Sequence, residues 1–318
     1  MRRKILSTLL RIATAPYTLM PGRSWKGSLP ELSAEQSALA QLMRRHVHEL
    51  SVVIGERHIG RPESLTKTVD YILSDLFDSG YEPKLHDFEL EGTTQQNIEA
   101  ILPGKSNRVL VIGAHYDSVP GSAGADDNAS GVAGVLALAR LLRDFAPNDT
   151  IRFVLFANEE HVGLPAETMG SYHYAKTCKE NGEQVRMLVL EMLGFYKDEE
   201  DTQHYPSPLN LVYPTKGNFV GFVGNWKSRA LVHDCIRAFR KTAKFPSDGV
   251  AAPDKLKDIG RSDHWGFWQF GYPAIMITDT ANFRNPHYHT AHDKAETLDF
   301  DSMSRVVTGL SSMIKSLA

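Results

Sequence analysis

Four short apolar runs in this chain each end on, or soon lead into, side chains that bind metals or move protons. Val109-Leu110-Val111-Ile112 leads to His115 and Asp117, and Ile151 to Phe156 leads to Glu159 and Glu160. Met187 to Leu190 stops at Glu191, and Ala274 to Ile277 leads into Asn285-Pro286-His287-Tyr288-His289-Thr290. Apolar runs this short, without polar alternation, suit strands buried on both faces of a parallel sheet. In open α/β sheets ligands bind beyond the carboxyl ends of the strands. Groups far apart in sequence are therefore expected to converge on one crevice.

The segments between these runs read as helices. Apolar residues recur at helical spacing over residues 34–55 and 63–79, with Gly80 stopping the second stretch, and again over 130–145, 171–179, 228–242 and 262–270. Lys84 to Leu90 and Gln95 to Leu102 read as strands. This alternation predicts an α/β fold, a three-layer sandwich in which a mixed, centrally parallel sheet is covered by helices on both faces. Residues 197–208 and 244–260 are polar or rich in Pro, Gly and charge, and are expected to be excursions over the active-site face. The expected organisation is one domain over residues 31–318 behind an N-terminal segment, 1–30.

That segment carries a weak export or anchor signal. Arg2, Arg3 and Lys4 precede an apolar run from Ile5 to Leu10, and Ala13-Thr14-Ala15 resembles a cleavage site, but Arg11 interrupts the pattern and Pro16 follows it. The compartment, cytoplasmic or exported, stays open on these residues, as does the oligomeric state. No stretch approaches the ~20 apolar residues of a membrane span. The balance of 35 Lys and Arg against 38 Asp and Glu, a formal charge of -3, argues against nucleic acid as a partner. Two cysteines, Cys178 and Cys235, cannot build a disulfide scaffold or a cysteine zinc site, and whether they pair is open. A metal would have to be held by His and carboxylates.

Taken singly, the motifs have ordinary explanations. Asp126-Asp127-Asn128 at the start of a helix suits a cap, Glu159-Glu160 suits a solvated loop, and His289 suits a surface histidine. Together they would place several carboxylates side by side, at a cost of several kcal/mol or strong upward pKa shifts. Two zinc ions bring four positive charges, which a bridging aspartate, two further carboxylates and one hydroxide balance, leaving two imidazoles neutral. Nitrogen and carboxylate oxygen suit zinc best, with cobalt or manganese as alternatives.

The strings AHYDS, ADDNASG, ANEE, LEM and PHYHT occur in this order between residues 114 and 290. In order and spacing they resemble the co-catalytic di-zinc aminopeptidases, the group related to bacterial leucyl aminopeptidase, glutamate carboxypeptidase II and glutaminyl cyclase, over roughly residues 95–310. The resemblance implies that His115 and Glu191 hold a first metal, Glu160 and His289 a second, and that Asp127 bridges them. It implies Glu159 as general base, Asp117 as the group orienting His115, Tyr288 as a hydrogen-bond donor to the oxyanion, and a cis peptide after Asp127. Many members carry Asp where this chain has Glu191, whose longer side chain alters how a metal or a substrate amine is held.

The implied activity is that of a zinc-dependent exopeptidase with two zinc ions per chain. It would hydrolyse a peptide or aminoacyl-amide at a free N-terminus, with Glu159 taking a proton from water and passing it to the leaving amine. Ser130 is no rival nucleophile, since no Gly-x-Ser-x-Gly elbow surrounds it. Two other readings use the same residues: acyl transfer at a single zinc, as in glutaminyl cyclases, and a non-catalytic binding protein on the same fold. Metal stoichiometry and the product from a Gln-initiated peptide separate the first, and metal-free folded protein would favour the second. His161, His173, His264, His287 and His292 are expected to be structural. Ser262-Asp263-His264 is expected to cap a helix facing the site, with Trp265 and Trp268 on its walls.

Overall fold

A computed structural model describes residues 14–205, 213–256 and 258–318. Most of the proposed export signal, residues 1–13, and the end of the first polar excursion, 206–208, lie outside the described residues. The strands are β1 (Lys84–Leu90), β2 (Thr93–Leu102), β3 (Arg108–His115), β4 (Thr150–Phe156), β5 (Gln184–Glu191), β6 (Val220–Asn225), β7 (Ser247–Ala252) and β8 (Ala274–Thr278). They form one sheet in the order β1-β2-β4-β3-β5-β8-β6-β7. The centre, β4-β3-β5-β8, is parallel, while β1, β2 and β6 run antiparallel to a neighbour. This is the expected mixed, centrally parallel α/β sandwich.

Alternate residues of each central strand feed two separate cores. Leu110, Ile112 and Ala114 of β3 face a large core, and Val109 and Val111 face a smaller one. The large core is closed by α1 (Ala34–His48), α2 (Pro62–Asp78), α3 (Gly131–Leu142), α5 (Arg229–Thr242) and α7 (Phe300–Leu317). The smaller is closed by α4 (Gly170–Glu180) and α6 (His264–Gln269). Local signals fix the ends: Ser33 and Gln36 make a capping box before α1, Pro62 starts α2, and Gly80, at φ 84°, releases the chain after it.

Residues 244–260 are not simply an excursion. Ser247–Ala252 forms edge strand β7, paired in parallel with β6. Its Ser, Asp and Gly disfavour a strand intrinsically, so pairing and burial override propensity there. Residues before 31 also meet the domain: Met20 is buried in the large core, Arg240 donates to the carbonyl of Pro21 at 3.0 Å, and Ser24 accepts from the Ser247 N–H at 2.9 Å. Cys178 and Cys235 are both buried and free. Among the described residues no helix is long and apolar enough to cross a membrane.

Candidate metal centre

The carboxyl ends of β3, β4, β5 and β8 lie at the same edge of the sheet, and the loops leaving them carry the site. His115 is the last residue of β3 and Glu191 the last of β5, so their backbones are fixed by ladder bonding. Asp127 sits in the kinked turn Ala125–Ser130, where its own backbone leaves helical geometry (φ -106°, ψ 89°) and its peptide bond to Asn128 is cis. Gly131 follows because a Cβ there would strike the Asn128 side chain and the Leu190 carbonyl. That close approach lets the Asn128 amide staple helix to strand. Its nitrogen donates to Leu190 O at 2.9 Å, while its oxygen accepts from Gly131 N and Met192 N, each at 3.0 Å. The Asp126-Asp127-Asn128 run thus divides its labour, with Asn128 capping the helix and Asp127 turned to the cluster.

Asp127 is the centre of the arrangement. Its Oδ1 lies 3.4 Å from His115 Nε2, and its Oδ2 lies 3.1 Å from His289 Nε2. Glu191 Oε2 is 3.3 Å from His115 Nε2, and Glu160 Oε2 is 3.3 Å from His289 Nε2. Two triads result, His115-Asp127-Glu191 and Asp127-Glu160-His289, each with donor atoms within 4.8 Å of one another. Glu159 approaches from the side, its Oε2 4.0 Å from His115 Nε2. Tyr288 stacks on the His289 ring, with centroids 3.8 Å apart, and its hydroxyl accepts from Arg261 at 3.4 Å.

Asp117 serves both imidazole and loop. His115 Nδ1 meets the Asp117 main-chain carbonyl at 3.2 Å and one carboxylate oxygen at 3.4 Å, and the two carboxylate oxygens accept the backbone N–H groups of Glu159 (3.0 Å) and Glu160 (3.1 Å). Asp117 therefore orients the histidine and also aims the two adjacent glutamates. Three supports were missed in the sequence. Asp293 accepts the backbone N–H of Asp126 at 2.9 Å and of Asp127 at 3.0 Å, which pins the turn from a loop 166 residues away. Ser262 does not cap α6 but donates to Glu191 Oε2 at 2.7 Å. Arg57, fully buried, donates to the carbonyls of Leu50, Gly55, Tyr116, Ala123 and Gly124, and so holds the loop between His115 and Asp127. Nothing in the spacing of these three distinguishes them from surface Asp, Ser or Arg.

The electrostatics ask for cations. Burial, joined by the charge of Asp127, pushes the Glu160 carboxyl up to about 8, and burial likewise pushes Glu159 well above the usual carboxylate range and raises Glu191. Burial works against protonated His115, but the charges of Glu191 and Glu159 win and hold its pKa well above 6.5. His289 reaches about 10, because hydrogen bonds to Asp127 and Glu160 outweigh its burial. Protons are the compensation the side chains themselves can supply. Divalent metal would supply it better: His115 Nε2 and Glu160 Oε1 are buried with no hydrogen-bond partner, and both triads offer only nitrogen and carboxylate oxygen. The residues fit such an ion.

Of the other histidines, His264 Nε2 donates to Ile259 O at 2.7 Å, His173 stacks on Phe88, and His287 packs near Phe195 and His292. None joins a triad among the described residues. Trp268 is buried, bonding to Ala274 O at 2.9 Å, and Trp265 stacks over Tyr172. The cavity at the site is walled instead by residues of β6, β7 and β8, with Tyr205 and Tyr213.

A mixed sheet whose strand ends carry this histidine and carboxylate constellation defines a metal-dependent hydrolase of the zinc exopeptidase type. The model of peptidase family M28 matches residues 97–314, and the chain belongs to that family. Uncharacterized protein YfbL of Escherichia coli (strain K12) is 32% identical over 299 residues, covering 91% of each chain. A probable leucine aminopeptidase of Trichophyton verrucosum is 30% identical over 221 residues, 65% of this chain but only 53% of that longer protein. Among solved structures, the zinc aminopeptidase BSAP from Bacillus subtilis superposes with a TM-score of 0.70, covering 87% of this chain and 94% of that one. At 17% identity that likeness concerns the fold alone.

Proposed function

We propose that this chain is a zinc aminopeptidase that holds two metal ions per chain and hydrolyses the first bond of a peptide or aminoacyl-amide. The observation that carries this reading is Asp127, whose two oxygens face His115 on one side and His289 on the other, with Glu191 and Glu160 completing the two triads. His115 and Glu191 would hold one ion, His289 and Glu160 the other, and Asp127 both. A bound metal pair lowers the pKa of water toward ~7 and polarises the scissile carbonyl.

The remaining work falls to the chain's own side chains. Glu159, beside but outside both triads, takes a proton from the attacking water and returns it to the leaving amine. Its raised affinity for protons, caused first by burial, suits a group that must hold that proton between the two steps. Tyr288, kept protonated by burial and by the charges of Asp127 and Glu160, donates to the developing oxyanion. The buried carboxylate of Asp117, behind His115 and the Glu159 and Glu160 amides, adds negative potential to the site, which favours a substrate carrying a free ammonium group. The test compares free aminoacyl amides with their N-acetylated forms on zinc-loaded protein. We expect turnover of the free forms, at least about 100-fold slower turnover of the acetylated ones, loss of activity to a chelator, and close to two zinc ions per chain. One tightly held metal with no gain from a second, or equal turnover of both substrates, overturns the reading.

A further inference from the structure

A cavity of about 510 Å³ opens beside Glu191 and Tyr288 and runs along the sheet toward the edge strand β7. The strand register describes its floor. Glu191 pairs with Thr278, Thr278 with Gly221, and Gly221 with Asp248. Residues in register on neighbouring strands point to the same face, so Glu191 and Asp248 stand at the two ends of one row, with only a threonine and a glycine between them. Gly221 leaves the floor open, for even a Cβ there would only reach ordinary contact with Thr278 and Thr280. Along the sides the lining is mainly apolar, from Val223, Val250 and Met276, with Tyr205 and Tyr213 stacked on each other at 5.3 Å.

Asp248 is unusual in this setting. The Tyr213 hydroxyl goes to Gly249 O at 2.8 Å, not to the carboxylate, and the Tyr205 hydroxyl is buried without a partner. Asp248 accepts only the adjacent Gly249 N–H, at 3.2 Å, and among the described residues it forms no ion pair. Arg240, whose charge acts on it, spends its donors on Ser247, Pro21 and Gly22. Burial pushes the Asp248 carboxyl above its usual range, a penalty that a cation brought into the cavity would relieve.

We propose that this cavity receives the side chain of the substrate's N-terminal residue and that Asp248 selects a cationic one, lysine or arginine. The proposal rests on the aminopeptidase reading. Length supports it: three strand spacings of ~4.8 Å put the two ends of the row ~14 Å apart. That is a separation between backbones, and a lysine, roughly 7 Å from α-nitrogen to Nζ, carries its charge across the threonine and glycine toward Asp248 while its α-nitrogen stays at the metal-centre end of the row. A leucine stops short of the carboxylate.

The experiment uses the full chain loaded with zinc and compares lysyl and norleucyl anilides, which differ chiefly in the terminal charge. The lysyl substrate is expected to have the higher kcat/KM by at least tenfold. In Asp248→Asn that ratio should collapse by at least tenfold, with norleucyl turnover and metal content within threefold of the parent. Calorimetry on the unaltered protein with free lysine against free norleucine gives a second readout that needs neither turnover nor the variant, and lysine should bind at least tenfold tighter. Preference for norleucine in either measurement, or an unchanged ratio in a folded Asp248→Asn, overturns the assignment. If neither anilide is cleaved while lysine still binds selectively, the aminopeptidase reading falls and the cation-selective cavity stands.

Discussion

The two halves of the proposed metal centre share Asp127 but are built differently. The inner half, His115 and Glu191, ends two central strands, and the His115 side chain is 1% exposed. Glu191 is further tied by Ser262 at 2.7 Å and approached by Asn128 at 3.4 Å. The outer half, Glu160 and His289, comes from loops, and the His289 side chain is 34% exposed with its backbone at φ 57°. Strand-end ligands inherit their position from the sheet, whereas loop ligands depend on individual bonds such as that from Glu160 N to Asp117. The inner metal is therefore expected to be held more tightly, and the outer one to exchange with solvent.

The largest effect should come from the group that belongs to neither half. Glu159→Gln retains size and most hydrogen bonding but cannot take a proton, so kcat should fall by about 10²–10⁴ with both metals kept. Steady-state kinetics with metal analysis checks this, and a variant that empties the site would move Glu159 into the ligand set.

Separating the halves comes next. His289→Ala or Glu160→Gln should weaken one metal by roughly 100-fold or more, beyond the loss expected for an outer support, while the second changes little. Chelator titration would read the two affinities, and equal weakening of both metals would show that the halves are not separable. His115→Ala should cost the tighter metal.

Supports should act less. Asp293→Asn loses one of two acceptors for the turn carrying the shared Asp127, so both metals should weaken together by about 10–100-fold. Ser262→Ala touches Glu191 alone and should loosen the inner metal by about tenfold, at the lower end of such effects, leaving the outer one in place.

The smallest effect on the centre is expected from His46 on α1, which serves as a contrast because its ring meets Tyr71 and Asp75 and joins neither triad. Burial first, then the charges of Arg140 and Arg45, lowers its pKa from 6.5 to about 4, so it is neutral in the folded protein. The unfolded chain takes up a proton near pH 6.5 that the folded chain refuses until about pH 4. His46 therefore costs no stability above pH 6.5 and progressively more as the pH falls toward 4, up to about 3 kcal/mol. Thermal unfolding of His46→Gln between pH 7 and 4 should show a shallower loss than the parent, with both metal affinities unchanged at pH 7.

Much of the frame was legible in the sequence because the central strands are buried on both faces and read as continuous apolar runs. β3, β4, β5 and β8 announce themselves in this way, and their ends mark the site. β6 and β7 do not. VGFVGN and SDGVAA are short and carry Gly, Ser or Asp, and they become strands through pairing with β8 and each other. The cavity next to the centre was missed for the same reason, since β6 and β7 supply much of its wall.

The sequence by itself determined the α/β architecture, the residue types for a nitrogen and oxygen metal centre, and the order in which the strand ends deliver them. These follow from local pattern: period, apolar run length, and the polar residue where a buried run stops. Only the tertiary structure decided that Asp293 pins the turn of Asp127, that Ser262 steadies Glu191 in place of capping a helix, that Arg57 locks the loop behind His115, and that Asp248 shares a row with Glu191. Each of these joins segments tens to more than a hundred residues apart through a few hydrogen bonds or strand register. Such pairings leave no periodic trace along the chain, because a donor or carboxylate is indistinguishable from a solvated one until the fold has brought its partner within about 3 Å.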